Sequence, residues 1–165
     1  MILNNYWAWR EACENASVVG NQIATNMRET GGDKNIFMSC FQNYSQYMEA
    51  STTNFGFKRN SLYIISSSED SITPNDYMLS NVLAAANATY SITCNLVDGK
   101  LVYTANIAGS NLTGNEYTIR KVGIAKKIYV PNKYQDVLMA VVELSEPITV
   151  PNGSGFSITV EIIEE

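Results

Sequence analysis

The stretch that decides the fold is TYSITCNLVDGKLVYTANI, residues 89–107. Apolar and polar residues alternate on both sides of a central Asp98-Gly99 pair. A period of two is typical of a β-strand with one face on a core and the other face in water. Asp-Gly favours the two positive φ angles of a type I′ turn, whose twist matches that of paired strands. The stretch therefore predicts a β-hairpin that covers one side of a core.

Short runs rich in aromatic and β-branched residues predict further strands on both sides of this hairpin. These runs are residues 36–41, 62–65, 116–130, 136–144 and 156–163, and turn residues at 114–115, 131–132 and 151–153 separate the later ones. Seven or eight short strands with no helix between them favour two packed antiparallel sheets over a parallel sheet. The predicted fold class is all-β, an antiparallel β-sandwich of the jelly-roll-like kind.

The first 34 residues have a different pattern. Apolar and aromatic residues at spacings of three and four, from Leu3 to Cys13, predict a short amphipathic helix that ends before Asn15. Paired glycines and an aspartate within residues 26–34 predict a loop. The sequence thus divides into an N-terminal arm at 1–34 and a β-sandwich domain at 35–165.

Both tryptophans of the chain, Trp7 and Trp9, lie in this arm. Trp is favoured in desolvated pockets of protein interfaces. The predicted partner-binding residues are therefore Leu3, Tyr6, Trp7, Trp9 and Arg10. The alternative is that the helix packs on its own sandwich, because aromatic residues at helical spacing more often belong to a core.

The composition argues against several classes of function. A net charge of −5 does not fit a protein that binds a phosphate backbone. The absence of histidine removes the side chain most often used for acid–base chemistry and for binding transition metals. The three cysteines, Cys13, Cys40 and Cys94, are far apart and fit reduced thiols better than a zinc site. We therefore expect no catalytic, cofactor-binding or metal-binding residues and no enzymatic activity.

The chain also has no apolar run of membrane-spanning length and no secretory signal pattern at its start. The expectation is synthesis in the cytoplasm and no membrane partner.

Four segments after about Asn60 carry a resemblance to known proteins. In order, they are ITPNDYML (72–79), YTIRKVGIA (117–125), LMAVVELSEPITVP (138–151) and FSITV (156–160). Together they resemble small bacteriophage virion proteins of the tail, fibre and head-appendage type, in which a T-P-x-D-Y-x-L element precedes strands with similar patterns. Two residues depart from that pattern. Lys121 stands where an acid is usual and Val142 where arginine is frequent, so an acid–arginine contact between adjacent strands is expected to be lost.

The resemblance implies a structural role without catalysis. The expected function is that of a virion structural protein, made in the host cytoplasm, that oligomerises and docks on the particle as a head decoration, head-fibre or tail-appendage component. Its expected partners are other copies of itself and capsid, neck or tail subunits. Two alternatives to this function stay open. One is a glycan-binding sandwich for host attachment, in which exposed Tyr and Trp stack on sugars. The other is an enzyme such as a depolymerase, with two carboxylates across a cleft.

Overall fold

The computed structural model describes residues 1–7, 10, 56–58, 61–76, 78–130 and 133–165, with the backbone alone at 127–130 and 133–135. The predicted strand at 36–41 and the predicted boundary at residue 34 lie outside these residues. So do Trp9, Cys13 and Cys40.

The described chain forms seven strands. They are β1 (Ser61–Ser66), β2 (Val82–Leu83), β3 (Ala86–Val97), β4 (Lys100–Ser110), β5 (Tyr117–Val130), β6 (Lys133–Val150) and β7 (Gly155–Glu164). Sheet A has the order β2-β1-β5-β6 and sheet B the order β3-β4-β7. Every pairing is antiparallel, and the two sheets pack together. The predicted all-β sandwich is confirmed.

The Asp98-Gly99 hairpin forms as the sequence predicts. Asp98 has a φ of 49° and Gly99 a φ of 77°, the two positive values of a type I′ turn. Val97 pairs with Lys100 next to the turn, and the ladder continues to Ala86 opposite Ser110. A register shift between Ala86 and Thr89 ends the regular part of this ladder.

The main core lies between the two sheets. Alternate strand residues fill it, including Ile65, Val122, Ile124 and Met139 from sheet A and Ile92, Ile107, Ile158 and Val160 from sheet B. Tyr6 and Phe57 join the same core and are fully buried. The alternate residues of both sheets therefore form the interior of the sandwich.

A second, smaller core covers the other face of sheet A. It consists of Leu3, Leu79, Leu138 and Val141, and we call it the outer layer. On β5, Val122 and Ile124 face the main core. Because successive residues of a strand face opposite sides, Gly123 between them faces the outer layer. A Cβ atom at Gly123 would lie 2.6 Å from Leu138 Cδ1 and 3.1 Å from Leu79 Cδ1, so a larger residue there would require both leucine side chains to shift.

The N-terminal residues extend sheet A. Ile2 forms a bridge with Ala140, and the Leu3 amide donates a hydrogen bond of 2.9 Å to the carbonyl of Met139. Residues 4–7 and residue 10 are then helical. None of the helices among the described residues has the length and hydrophobicity that crossing a lipid bilayer requires.

Candidate partner-binding surfaces

The predicted partner-binding residues differ in their environments. Leu3 and Tyr6 are fully buried, Leu3 in the outer layer and Tyr6 in the main core. The Tyr6 ring stacks on Phe57 with centroids 4.2 Å apart. This packing of the helix on its own sandwich is the alternative that the sequence left open. Trp7 keeps 39% of its surface exposed and contacts Tyr6 edge-on.

Arg10 belongs to a polar cluster at one end of the sandwich. Its Nε lies 3.3 Å from Glu164 Oε1, and the Tyr103 hydroxyl donates a hydrogen bond of 3.0 Å to Glu164 Oε2. The Glu164 side chain is only 11% exposed, so a carboxylate on β7 holds the helical segment against sheet B. The sequence pattern did not single out Glu164. The alternation that places Ile158, Val160 and Ile162 on the core face would have found it if continued by two residues.

Two tyrosines near the Glu164 carboxylate have raised pKa values. Burial, and then the negative charge of Glu164, raise the pKa of Tyr6 and of Tyr103. The Tyr6 hydroxyl has no hydrogen-bond partner of good geometry among the described residues, although Glu164 is close enough to affect its pKa. Both tyrosines therefore stay protonated well above neutral pH.

Exposed apolar residues gather at the turn end of sheet B. Leu96 is 73% exposed, and Val97, Leu101 and Ile163 are each more than a third exposed. We call these four residues the tip patch. Leu96 pairs with Leu101 on the core-facing side of the sheet, while Val97 and Ile163 lie on its other side. Large apolar side chains exposed together at one end of a sheet favour contact with another protein.

A cleft of about 470 Å³ lies between β3 and the β1–β2 edge of sheet A. We call it the edge cleft; Leu62, Tyr63, Leu83, Ala88, Tyr90 and Asp136 are among the residues that line it. The Tyr63 and Tyr90 rings lie 5.8 Å apart. Both hydroxyls are engaged, Tyr90 with Ser61 Oγ at 3.2 Å and Tyr63 with the carbonyl of Ala108 at 3.4 Å. The walls of the cleft are therefore mainly aromatic and aliphatic.

A lysine is buried where β5 meets the segment that crosses the outer face of sheet A. Lys121 is 3% exposed, and its ammonium donates a hydrogen bond to the carbonyl of Ser68. A cavity of about 250 Å³ adjoins it and is lined by Asp70, Asp76 and Ser80. Across the strands, Lys121 faces Glu143, while Val142 pairs with Val122. An ion pair thus joins the two strands between which the resemblance placed an acid–arginine contact, with lysine on β5 and the acid on β6.

The described residues contain no cluster of three or more Cys, Asp or Glu side chains arranged to hold a metal ion. Comparison with protein-family models, with curated proteins and with solved structures gave no match.

Proposed function

We propose that this chain is a non-enzymatic structural protein of a bacteriophage particle, which oligomerises and docks on other particle proteins as a head decoration, head-fibre or tail-appendage component. One observation carries the proposal. Three of the four sequence segments that resemble such proteins meet in the outer layer, in which Leu79 of the first and Leu138 of the third lie over Gly123 of the second.

This contact links segments that are far apart in the sequence. Leu138 Cδ1 and Leu79 Cδ1 both approach Gly123 so closely that any larger residue there would displace them. Three strand-and-turn patterns that are individually common therefore act as one packing unit. A chain that carries all three patterns in this order resembles the virion proteins more specifically than a chain that carries one of them. The contact therefore supports the resemblance, and the proposed role in the particle derives from that resemblance.

The surfaces of the sandwich fit a role in assembly. The tip patch exposes four apolar residues at one end of sheet B, and Trp7 is partly exposed beside the buried Tyr6. The outward residues of β3 are uncharged, among them Thr89, Ser91 and Thr93. Such surfaces can be desolvated on contact with protein at a lower free-energy cost than charged ones.

The direct test is the protein content of the particle. Particles of the phage that encodes this chain would be purified on a density gradient and digested for mass spectrometry, with unassembled host lysate as the control. We expect peptides of this chain in the particle fraction at several copies per particle, and a cryo-electron microscopy map would locate them on head, neck or tail. Particles that lack the chain but contain the structural proteins encoded beside it would refute the proposal.

The edge cleft favours a second candidate, a glycan-binding module for host attachment. Tyr63 and Tyr90 present aromatic rings in the cleft and Asp136 adds a carboxylate at its wall. Sugars bind in this way, with apolar faces on rings and hydroxyls on a carboxylate. A glycan array with the wild-type chain and Tyr90→Ala tests this candidate, with Leu112→Ser, at an exposed position outside the cleft, as the control. Array signals that Tyr90→Ala abolishes and Leu112→Ser retains would favour the glycan module.

A further inference from the structure

We infer that the edge of β3 that is unpaired among the described residues pairs with β3 of a second copy of this chain. The two strands run antiparallel about a twofold axis at Thr93 and join two copies of sheet B into one six-stranded sheet. This inference specifies the oligomerisation named in the proposed function and rests on that proposal.

The backbone of β3 has groups available for such a pairing. In the described part of the chain, β3 pairs with β4 and with no strand on its other side. Val97 and Lys100 flank a two-residue turn, and in such a hairpin the flanking pair exchanges both backbone hydrogen bonds. Every second residue back from Leu96 therefore directs its N–H and C=O away from β4. These residues are Tyr90, Ile92, Cys94 and Leu96.

The side chains of β3 do not prevent edge-to-edge contact. Proteins usually protect a free edge with charged residues, proline or a covering segment. The twelve residues of β3 include neither a charged residue nor proline. The outer edge strand at the other side of sheet B, β7, carries Glu161 and Glu164. In sheet A, the β6 edge carries Glu143, Glu146 and Pro147 and is partly covered by the bridge from Ile2.

The regular part of the strand fixes the register. The β3–β4 ladder is continuous from Thr89 to Val97, and Thr93 is its midpoint. An axis at Thr93 pairs the largest regular length and keeps core-facing residues opposite core-facing residues. Tyr90 then lies opposite Leu96 of the partner subunit, and Ile92 lies opposite Cys94 of the partner subunit. The paired backbones form up to about eight hydrogen bonds between the copies.

The pairing also covers apolar surface that the single chain leaves in water. Leu96 is 73% exposed, and Tyr90 lines the edge cleft of about 470 Å³. In the proposed register, Leu96 of the partner subunit lies beside Tyr90, on the side of the sheet that faces this cleft. Each copy therefore supplies an exposed leucine and an apolar cleft. A twofold axis places the leucine of each copy at the cleft of the other, so the same contact forms twice.

The first experiment measures the mass of the full chain in solution by light scattering after size-exclusion chromatography. We expect the mass of a dimer or of a higher even-numbered assembly for the wild type. Thr93→Lys places two ammonium groups together at the axis and is expected to halve the mass, while Thr159→Lys, on an exposed position of β7, leaves it unchanged. A monomeric wild type, or an assembly that Thr93→Lys does not change, would overturn the inference.

The second experiment tests the register by cysteine crosslinking under mild oxidation. At the axis the two Thr93 Cα atoms lie about 4.5 Å apart, within reach of a disulfide, so Thr93→Cys should give a covalent dimer. Ser91→Cys lies on the same face but about 13 Å from its copy, and it should not crosslink. The wild-type chain, with its three native cysteines, is the control. Equal crosslinking of both variants would overturn the register about Thr93.

These outcomes are separable from those of the proposed function. A chain that is present in particles but monomeric in solution overturns the β3 pairing and leaves the particle role standing. A chain that is dimeric in solution through β3 but absent from particles refutes the particle role and leaves the β3 pairing standing. A monomer that binds sugars in the edge cleft, or one in which amide exchange finds β3 protected by another part of the same chain, also overturns the pairing.

Discussion

Lys121 on β5 lies directly opposite Glu143 on β6, with Lys121 Nζ 4.0 Å from Glu143 Oε1. The two side chains differ in solvent exposure, 4% for the lysine and 61% for the glutamate. The lysine ammonium also donates a hydrogen bond to the Ser68 carbonyl, in the segment that leads over the outer face of sheet A. One buried charge therefore ties that segment to β5, and the exposed carboxylate adds only a screened attraction.

Lys121→Met keeps the buried aliphatic stem and removes the ammonium. We expect a loss of about 1–3 kcal/mol in the free energy of unfolding, because the Ser68 carbonyl loses its donor. Glu143→Gln should cost less than about 1 kcal/mol, because an exposed ion pair contributes little. Urea denaturation of both variants measures the difference. Equal losses would show that the ion pair, and not the hydrogen bond to Ser68, is the main contribution.

Gly123→Ala introduces a methyl group into the outer layer, 2.6 Å from Leu138 Cδ1. We expect a loss of about 1–3 kcal/mol from overpacking. Gly155→Ala is the matched control, since its nearest neighbour lies at an ordinary 3.4 Å, and it should change the stability by less than about 0.5 kcal/mol. Leu138→Ala should relieve the clash, so the double variant should lose less than the sum of the single losses. Strict additivity in this double-mutant cycle would contradict the contact.

Gly99→Ala tests the turn of the hairpin. Gly99 has a φ of 77°, and a Cβ atom added there would meet no other atom within 4 Å, so the substitution acts through backbone strain alone. We expect a cost of about 1–2 kcal/mol, since an L-residue is disfavoured in the left-handed region. Asp98→Asn should be close to neutral, because Asn tolerates the same φ. Thermal and urea unfolding of both variants would decide. A neutral Gly99→Ala would mean that the turn relaxes to another type.

The elements that the sequence predicted are those with local causes. The hairpin at 89–107 depends on alternation and on a two-residue turn, and the last strand depends on the same alternation from Phe156 onwards. The outer layer brings together residues far apart in the chain, such as Leu79 and Leu138, and no local period reports such a contact. One signal was present: residues 137–142 are all apolar, a pattern typical of a strand that is buried on both faces.

The tip patch and the burial of the N-terminal residues were harder to predict, because they also depend on contacts between distant parts of the chain. Alternation places Leu96 on the core-facing side of β3, yet it is 73% exposed, because none of the described residues covers the turn end of sheet B there. Helical spacing grouped Tyr6 with Trp7, although only Tyr6 is enclosed by the sandwich. Periodicity gives the direction of a side chain, and the extent of the opposing sheet decides whether that side chain is buried.

The raised pKa of Tyr103 should make the free energy of unfolding fall at alkaline pH. Burial, and then the charge of Glu164, raise its pKa above the ordinary value of 10.0. Between the pKa of the unfolded chain and that of the folded protein, the folded state binds more protons, so the free energy of unfolding falls as pH rises above about 10. Tyr103→Phe should reduce this decline, while Tyr6, whose pKa is raised by the same causes, should maintain part of it. Urea unfolding at a series of pH values measures the change. Glu164→Gln should retain most of the decline because burial is the larger cause. An unchanged decline in Tyr103→Phe would assign the effect to other groups.

Asn5 tests whether the first residues stabilise the sandwich. It is fully buried, and its Nδ2 donates hydrogen bonds to the carbonyls of Leu138 at 2.8 Å and of Asp76 at 3.1 Å. Asn5→Ala should cost about 1–3 kcal/mol, and Asn5→Asp should cost more, because it replaces the donor with a buried negative charge facing two carbonyls. Asn4→Ala removes only an exposed hydrogen bond of 2.7 Å from Asn4 Nδ2 to Asn75 Oδ1, so it should cost less than about 1 kcal/mol. Urea denaturation of the three variants compares them. If Asn5→Ala matched Asn4→Ala, the two hydrogen bonds of Asn5 would contribute little to the stability of the fold.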